Sequence, residues 1–388
     1  MKKKSLFLGL LTLNALVGNE NNDSCCETVA CIGEGYTPKY YDLQCDWGVT
    51  VSAEFLYWYA VENRLPIAMR TLGFVPQGAD VIPGAELAVP NKNIYMDSSW
   101  DPGFRVGAGF NSCCDGWDFL VQYTYYRNTN KKGLSEAAVQ GGFFIPPGGD
   151  FLFTSPWIET FLPVPFLFDQ VNAKWKLDYN VLDLEIGRKF WLSPCFNLRL
   201  FTGLKGSWIR TQYDLLQERD LATLDSTAIV GGFFLDNFKN TFRGVGLTLG
   251  LDPTWHFSRC FSLYGSADFS LLWGKYDGDR SEEFEIFVTS DRYAVSWDST
   301  NDFYGMQGVF DLGIGLRYED TFCCDRFRFL FDLGWEHQLW YDLIHRIKFE
   351  SASVPLNLTF DRLSFATYGE IDTDLALGGL VVKAKIDF

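Results

Sequence analysis

The stretch that decides the fold is Phe261-Ser-Leu-Tyr-Gly-Ser-Ala-Asp-Phe-Ser-Leu-Leu-Trp-Gly274. Every second residue from Phe261 to Trp273 is apolar or glycine, and the residues between them are mostly polar. Because successive side chains point to opposite faces of a strand, this pattern predicts one long strand with an apolar face and a polar face. The same alternation recurs at residues 304–318 and 326–339.

The length of these strands and the last residues of the chain favour a membrane barrel over a soluble sandwich. Strands of globular proteins usually run to about 5 or 6 residues, whereas barrel strands must cross a bilayer. Residues 380–388 alternate in the same way up to the terminal Phe388. A terminal aromatic residue on an amphipathic last strand resembles the assembly signal of bacterial outer-membrane proteins.

Composition excludes two classes of protein. The chain has 388 residues, of which 17% are aromatic and 21% charged, and its formal net charge is -16. The aromatic content rules out disorder. The negative charge argues against nucleic-acid binding, which depends on clustered Lys and Arg.

The N-terminal region predicts export. Three lysines at positions 2–4 precede an apolar run at residues 5–17, which is the pattern of a signal peptide over residues 1–18. Residues 19–46 are expected to form a Cys-rich periplasmic segment, and residues 47–388 the barrel.

Ten segments of the chain are predicted to be strands. Their alternation changes parity only once, between Val181 and Leu182, where we expect a β-bulge. The segments are residues 47–59, 100–111, 117–127, 174–190, 196–212, 241–257, 261–276, 303–319, 326–341 and 373–388.

Short and long connections alternate between these strands, as periplasmic turns and extracellular loops do in barrels. The long connections are residues 61–99, 128–173, 213–240, 277–302 and 342–372, and the first, second and fifth are long enough to hide a hairpin. Glu282, Glu283 and Glu285 make the fourth one acidic, so it either concentrates cations at the mouth or is simply solvated. The second is apolar at residues 143–149 and 151–168, and we expect it to fold into the lumen, pack between protomers or touch a host surface.

Aromatic motifs in the first three strands carry a family resemblance. The segments Trp47-Gly-Val-Thr-Val-Ser-Ala-Glu-Phe-Leu-Tyr-Trp58, Trp100-Asp-Pro-Gly-Phe-Arg-Val-Gly107 and Asp115-Gly-Trp-Asp118 with Tyr123-Thr-Tyr-Tyr126 resemble the Legionella major outer membrane protein family, with related sequences in amoeba-associated relatives of Chlamydia. The resemblance implies a pore-forming outer-membrane barrel. It supplies no residue-level site.

The ten cysteines are confined to one side of the predicted barrel. All of them lie in short connections or before the first strand, at Cys25, Cys26, Cys31, Cys45, Cys113, Cys114, Cys195, Cys260, Cys323 and Cys324. Adjacent Cys-Cys pairs lack the spacing of a zinc site, so disulfides in an oxidising compartment are favoured over metal binding and over free thiols. Because a disulfide requires Cα atoms within about 7 Å, bonds would join neighbouring turns, the N-terminal segment or other molecules. The last option resembles the cross-linked envelope of Chlamydiae.

Enzymatic motifs are few, whereas the polar strand faces are rich in charge. The chain has three histidines and no nucleophile elbow, P-loop or His-Glu-x-x-His motif, which leaves a hydrolase built around His345 as a minor alternative. Parity predicts a lumen with nearly balanced charge, and internal ion pairs could also plug so narrow a barrel. The predicted lumen-facing charges are Glu54, Arg105, Asp118, Lys176, Asp178, Asp183, Glu185, Lys189, Arg199, Lys205, Asp268, Asp311, Arg317, Arg328, Asp332, Glu336, Lys383 and Lys385.

Together these features predict an all-β transmembrane antiparallel barrel of about 10 to 14 strands in the bacterial outer membrane, surrounded by lipid and lipopolysaccharide. We expect a porin-like channel for passive diffusion of ions and small hydrophilic solutes, without a cofactor or metal. Periplasmic disulfides would link it to itself or to other Cys-rich envelope proteins. A structural or adhesive barrel without a useful pore is the alternative.

Overall fold

The computed structural model describes residues 47–74, 87–112, 117–135, 152–157, 168–224, 228–288, 291–322, 327–355 and 362–388. The predicted signal peptide at residues 1–18 and the Cys-rich segment at residues 19–46 lie outside the described residues. So do eight of the predicted disulfide cysteines: Cys25, Cys26, Cys31, Cys45, Cys113, Cys114, Cys323 and Cys324.

All secondary structure in the described residues is β-strand. In chain order the strands are β1 (Trp47–Glu62), β2 (Pro66–Phe74), β3 (Leu87–Tyr95), β4 (Trp100–Ser112), β5 (Trp117–Ser135), β6 (Leu152–Thr154), β7 (Gln170–Ser193), β8 (Phe196–Leu224), β9 (Ala228–His256), β10 (Phe261–Val288), β11 (Asp291–Phe322), β12 (Phe327–Pro355) and β13 (Arg362–Asp387). Within the same ranges, no helix is long and apolar enough to cross a bilayer.

Ten of these strands form a closed antiparallel barrel in the order β1-β13-β12-β11-β10-β9-β8-β7-β5-β4. Closure comes from β1, which pairs with β13 from Thr50↔Asp387 to Glu62↔Leu375 and with β4 on its other edge. The sheet therefore has no free edge across the bilayer. The predicted antiparallel barrel of ten strands is confirmed.

Three short strands form a second sheet in the order β3-β2-β6. β2 and β3 are a hairpin inside the first long connection, and β6 comes from the second, so both connections carry strands of their own. The third and fourth long connections were predicted as loops, and that prediction is wrong. There β8, β9, β10 and β11 continue as paired strands to Leu224↔Ala228 and Val288↔Asp291.

A band of large apolar side chains covers the outside of the barrel. Leu247 and Leu249 on β9 are 67% and 68% exposed, and Phe269 on β10 is 50% exposed. Trp208, Trp255, Trp273 and Trp335 are also outward and exposed. A continuous apolar band with aromatic residues is the lipid-facing surface of an outer-membrane barrel. We call it the lipid belt, and on β10 it extends from Phe261 to Trp273.

The predicted bulge at Val181 and Leu182 is wrong. β7 pairs without a register shift with both β5 and β8 across these residues. The same parity faces inward throughout β7, but its chemistry reverses. Leu177 is buried inside above the belt, on its extracellular side, whereas Asp183 lies inside within the belt. The change in apolar parity therefore marks the edge of the bilayer.

Candidate functional site

The lumen within the lipid belt is a charged cavity of about 620 Å³. Nine Lys or Arg residues and ten Asp or Glu residues line it, so the two signs are almost balanced. Of the predicted lumen-facing charges, every one except Lys176 and Asp178 lies in this lining, and the prediction for Lys176 is wrong because it shares the outward face of Asp178. We call this space the polar chamber.

Asp178 was predicted to face the lumen, and the structure places it outside. It lies above the belt on the outward face of β7, where its Oδ1 is 2.5 Å from Nε of Arg127 and its side chain is 36% exposed. The reversal of inside and outside chemistry above the belt explains both this error and the wrong prediction of a bulge. Above the belt the outward face meets water, so it carries the polar residues.

Ion pairs organise one side of the polar chamber around Arg105. Its guanidinium donates to Glu54 at 2.7 Å and to both carboxylate oxygens of Glu336 at 3.0 and 2.9 Å. Lys383 lies 2.8 Å from the other oxygen of Glu54. Each charge has a partner, so this side of the chamber is electrostatically neutral.

Arg199 makes a second network, which includes a residue missing from the predicted set. It lies 2.6 Å from Asp118, 3.0 Å from Glu185 and 2.8 Å from Asp252. Asp252 shares the inward parity of Thr248 and Thr254 on β9, so strict alternation along that strand could have found it. Near the periplasmic end, Arg328 is paired with the fully buried side chain of Asp387.

Lys205 stands where the chamber meets the extracellular half of the barrel. Three carboxylates surround its ammonium group, at 2.7 Å for Asp311, 3.5 Å for Asp268 and 3.7 Å for Asp183. One cation among three anions leaves a local excess of negative charge. Beyond Ser207, the inward residues of β8 include the buried apolar side chains of Ile209, Tyr213 and Leu215.

Above Lys205 the lumen is closed by apolar side chains. The barrel wall contributes buried residues from most strands, and residues near the start of β2 and in or beside β6 add others. Trp157 packs against Tyr213 and Phe238 with ring centroids 6.2 and 5.1 Å apart. The inserted residues of this closure are Leu65, Ile67, Ala68, Phe153, Trp157 and Phe168. Within the apolar parts of the second connection, the structure describes residues 152–157 and 168, and Phe153, Trp157 and Phe168 among them are buried in this closure.

Two buried arginines cross the apolar closure. Arg346 on β12 donates to Glu62 at 2.7 Å, and both side chains are 1% exposed. Arg280 on β10 contacts Asp236 at 2.9 Å and Glu282 at 2.7 Å. Burial, with the charge of Asp236 beside it, raises the pKa of Glu282 to about 8. Glu282 is thus an interior residue, and the prediction that it helps an external loop to concentrate cations is wrong.

His345 lies on strand β12 and not in a loop as predicted. Its Nδ1 is 2.7 Å from Asp372 and 3.3 Å from Glu370, and the three donor groups lie within 4.8 Å of one another. Its ring packs edge-on against Tyr276 and Phe303. This cluster could hold a divalent metal ion, or simply a hydrogen-bonded imidazole, and the expectation of no bound metal stays a prediction.

Two of the cysteines lie in the described turns at the opposite end of the barrel from His345. Cys195 follows β7 and Cys260 precedes β10, and both are buried and disulfide-bonded. His256 lies at the same end, hydrogen-bonded to Asn197 at 2.8 Å and 3.1 Å from Glu319.

A closed ten-stranded barrel with an apolar outer belt and a charged interior defines an integral outer-membrane β-barrel protein. The family model of the Legionella pneumophila major outer membrane protein precursor matches residues 41–388, so the chain belongs to that family. This confirms the predicted resemblance and the outer-membrane location. No curated protein matches the chain.

Several solved outer-membrane proteins are similar to the chain over most of its length. The outer membrane protease OmpT from Escherichia coli is 10% identical, with 91% of this chain and 99% of that chain covered and a TM-score of 0.34. A FadL homologue from Pseudomonas aeruginosa is 9% identical, with 88% and 90% covered and a TM-score of 0.20. The toluene transporter TodX from P. putida is 7% identical, with 91% of each chain covered and a TM-score of 0.20. These scores are too low to support any argument about function.

Proposed function

We propose that the protein is a gated outer-membrane channel for ions and small hydrophilic solutes. The polar chamber supports this proposal. A charged cavity of about 620 Å³ inside the lipid belt is not needed for the barrel to pack against lipid. Polar interiors with rings of charge are what ion selectivity requires. The apolar closure above the chamber means that conduction requires part of that closure to move.

Charge in the chamber indicates a weak preference for cations. The lining holds one more acidic than basic residue, and the excess is concentrated around Lys205, next to the closure. A permeating ion must pass this point. Neutralising Asp311 should therefore change selectivity with little structural disturbance, because Lys205 keeps Asp183 and Asp268 as partners.

The test is the reversal potential of refolded protein in a planar bilayer under a salt gradient. Asp311→Asn should shift the reversal potential toward anions. The matched control is Asp302→Asn on the same strand, because Asp302 faces outward above the belt and its side chain is 53% exposed. An equal shift in both variants, or none in either while current flows, would refute conduction through the chamber.

A barrel without a useful pore is the second candidate. The observation in its favour is the closure itself, in which Trp58, Trp175 and Trp340 are at most 1% exposed. Under this alternative the bilayer recording shows no openings at voltages of either sign. A role in adhesion would then belong to the extracellular surface. A hydrolase remains the least supported reading, and we propose a non-enzymatic role.

We further propose that periplasmic disulfides link the barrel to the envelope. The disulfide-bonded state of Cys195 and Cys260 supports oxidation of the turns at that end. Other copies of the chain or other Cys-rich envelope proteins are the expected partners. Envelope fractions run on non-reducing gels should show multimers that collapse with reductant, and a monomer under both conditions would restrict the bonds to the chain itself.

A further inference from the structure

We propose that the distal part of the β12–β13 hairpin is a hinged lid over the lumen, held shut by the buried pair of Arg346 and Glu62. The lid comprises residues 343–355 of β12 and 362–373 of β13. Its role as a gate rests on the proposed channel function, whereas its hinge and latch stand on geometry alone.

The hinge is visible in the strand pairing. Pairing between β11 and β12 ends at Val309↔Trp340, so in the described residues the lid pairs only within its own hairpin. The β12–β13 register shifts between Trp340 and Ile344. Asp342 lies in this interval with a φ of 46°, a left-handed conformation that Asp tolerates better than most residues. Its backbone N–H donates to Asp374 at 2.9 Å. The lid is therefore joined to the barrel by two strand segments, and in the described residues no backbone pairing ties it to β11. Side chains still connect it to that wall, since His345 packs against Tyr276 and Phe303 and Asn301 donates to Glu370 at 3.2 Å.

The latch joins the lid to β1, the strand that pairs with the other edge of β13. Arg346 reaches Glu62 at the end of β1, and Glu62 also accepts hydrogen bonds from Thr373 of the lid and from Trp175 of β7, each at 2.9 Å. The guanidinium of Arg346 lies 5.3 Å from the ring centre of Tyr213 and 5.7 Å from that of Trp157. A charged side chain is thus held inside an aromatic pocket by one carboxylate.

A second contact comes from the wall on the other side of the lid. Arg280 on β10 donates to the backbone oxygen of Ile347 at 3.1 Å and to that of Trp157 at 3.3 Å. It therefore ties the lid and the inserted segment to one point. The outer edge of the lid faces water, with Glu370 and Asp372 exposed.

This arrangement suits a gate better than a permanent core. An apolar pair of the same volume would hold the lid as well or better, because burying two charges costs free energy that their attraction only partly offsets. An ion pair makes closure depend on one specific contact, and separation of that contact lets water reach both charges.

The first test is hydrogen–deuterium exchange of the folded full-length protein in detergent micelles. Glu62→Gln leaves Arg346 buried without a counter-charge, so we expect the amides of residues 344–347 and 369–373 to exchange at least about 100-fold faster. Amides of residues 378–386, which belong to the same strand inside the belt, should keep their protection. Arg292→Gln is the control, since Arg292 pairs with Glu285 on the exposed surface above the belt.

Two further variants keep the test informative if Glu62→Gln fails to fold. Arg346→Lys keeps the charge but loses the bidentate fit, and a roughly 10-fold increase in lid exchange is expected. The double variant Glu62→Gln with Arg346→Met removes both charges and should restore protection. Unchanged lid exchange in both single variants, or an equal rise at residues 378–386, would overturn the lid.

Bilayer recordings separate the lid from the proposed channel function. If both hold, Glu62→Gln and Arg346→Lys raise the open probability in the same order as they raise lid exchange. Faster lid exchange without any conductance would keep the lid and refute the channel. A higher open probability with unchanged lid exchange would keep the channel and refute the lid.

Discussion

The barrel has opposite chemistry in its membrane-embedded half and its extracellular half. Within the lipid belt, Leu249 faces out and Asp252 faces in, whereas above it Lys176 faces out and Leu177 faces in. The strands and their inward parity are continuous across the change. The lower half is therefore built as a membrane protein with a wet interior, and the upper half as a soluble barrel with an apolar core.

The same sheet therefore contacts lipid in its lower half and water in its upper half. Above Trp273, residues 275–288 of β10 continue for roughly 45 Å along the strand at about 3.3 Å per residue. That part of the wall has water outside, so it is stabilised by burying Tyr213, Phe238 and similar residues inside. The closure of the lumen follows from this need.

The largest effect is expected from removing an inward residue of the upper half. Leu177 is fully buried, and Leu177→Ala should lower the free energy of unfolding by about 2 to 5 kcal/mol. The neighbouring Lys176→Ala, on the outward face, should change it by less than about 0.5 kcal/mol. Urea unfolding of the refolded barrel measures both. Equal losses would mean that the upper interior is not a packed core.

A charge on the lipid belt should come next in size. Phe269→Arg on β10 places a charge in the bilayer and should cost about 2 to 4 kcal/mol. Ser266→Arg on the same strand enters the polar chamber, where it avoids that penalty. The yield of heat-modifiable folded barrel compares the two. Equal impairment would contradict the assignment of inside and outside in the lower half.

pH should affect the upper half through Glu282. Its ordinary pKa is 4.5 and its pKa in the closed structure is about 8, because burial and the neighbouring Asp236 disfavour its charge more than Arg280 favours it. The closed form therefore binds the proton more tightly than an open form. The stability gained from that proton is full below pH 4.5 and is lost as pH rises through 8.

Hydrogen exchange of the lid is the measurement for this prediction. Protection of residues 344–347 should decline between about pH 4.5 and 8 after correction for the intrinsic pH dependence of exchange. Glu282→Gln should remove most of the decline. Burial lowers the pKa of Arg346 to about 9, so its guanidinium is still mostly charged up to pH 8. A decline that persists in Glu282→Gln would assign the effect to another group.

Sequence periodicity was sufficient for the barrel but not for its upper half. In residues 261–274 the alternation predicts the strand, its length and which side chains face inward. It does so because lipid on one side and water on the other impose strict alternation. Above the belt the alternation continues with its chemistry inverted, so parity predicts Lys176 and Asp178 inside and a bulge at Val181, and the structure contradicts these predictions. On several strands the apolar residues move from the outward to the inward face at the same height along the barrel. That shared height is the sequence signal that marks the edge of the bilayer.

The buried charges of the closure could not have been predicted. Arg280 and Arg346 sit in stretches that appear from sequence to be charged external loops. Only the pairing of β1 with β13, which closes the barrel, brings Arg346 to Glu62, which is 284 residues away in the chain. Long-range contacts of this kind depend on barrel closure and on the register shift at Trp340, and local sequence periodicity predicts neither of these features.

The most direct test of the two-halves account is an electron-microscopy map of the protein in a lipid nanodisc. The account predicts a lipid band around Leu247, Leu249 and Leu312, with Lys176 and Asp178 clear above it. Side-chain density should fill the lumen above Lys205 and leave the polar chamber open below. Lipid at the level of Lys176, or a water-filled passage through the full length of the lumen, would contradict it.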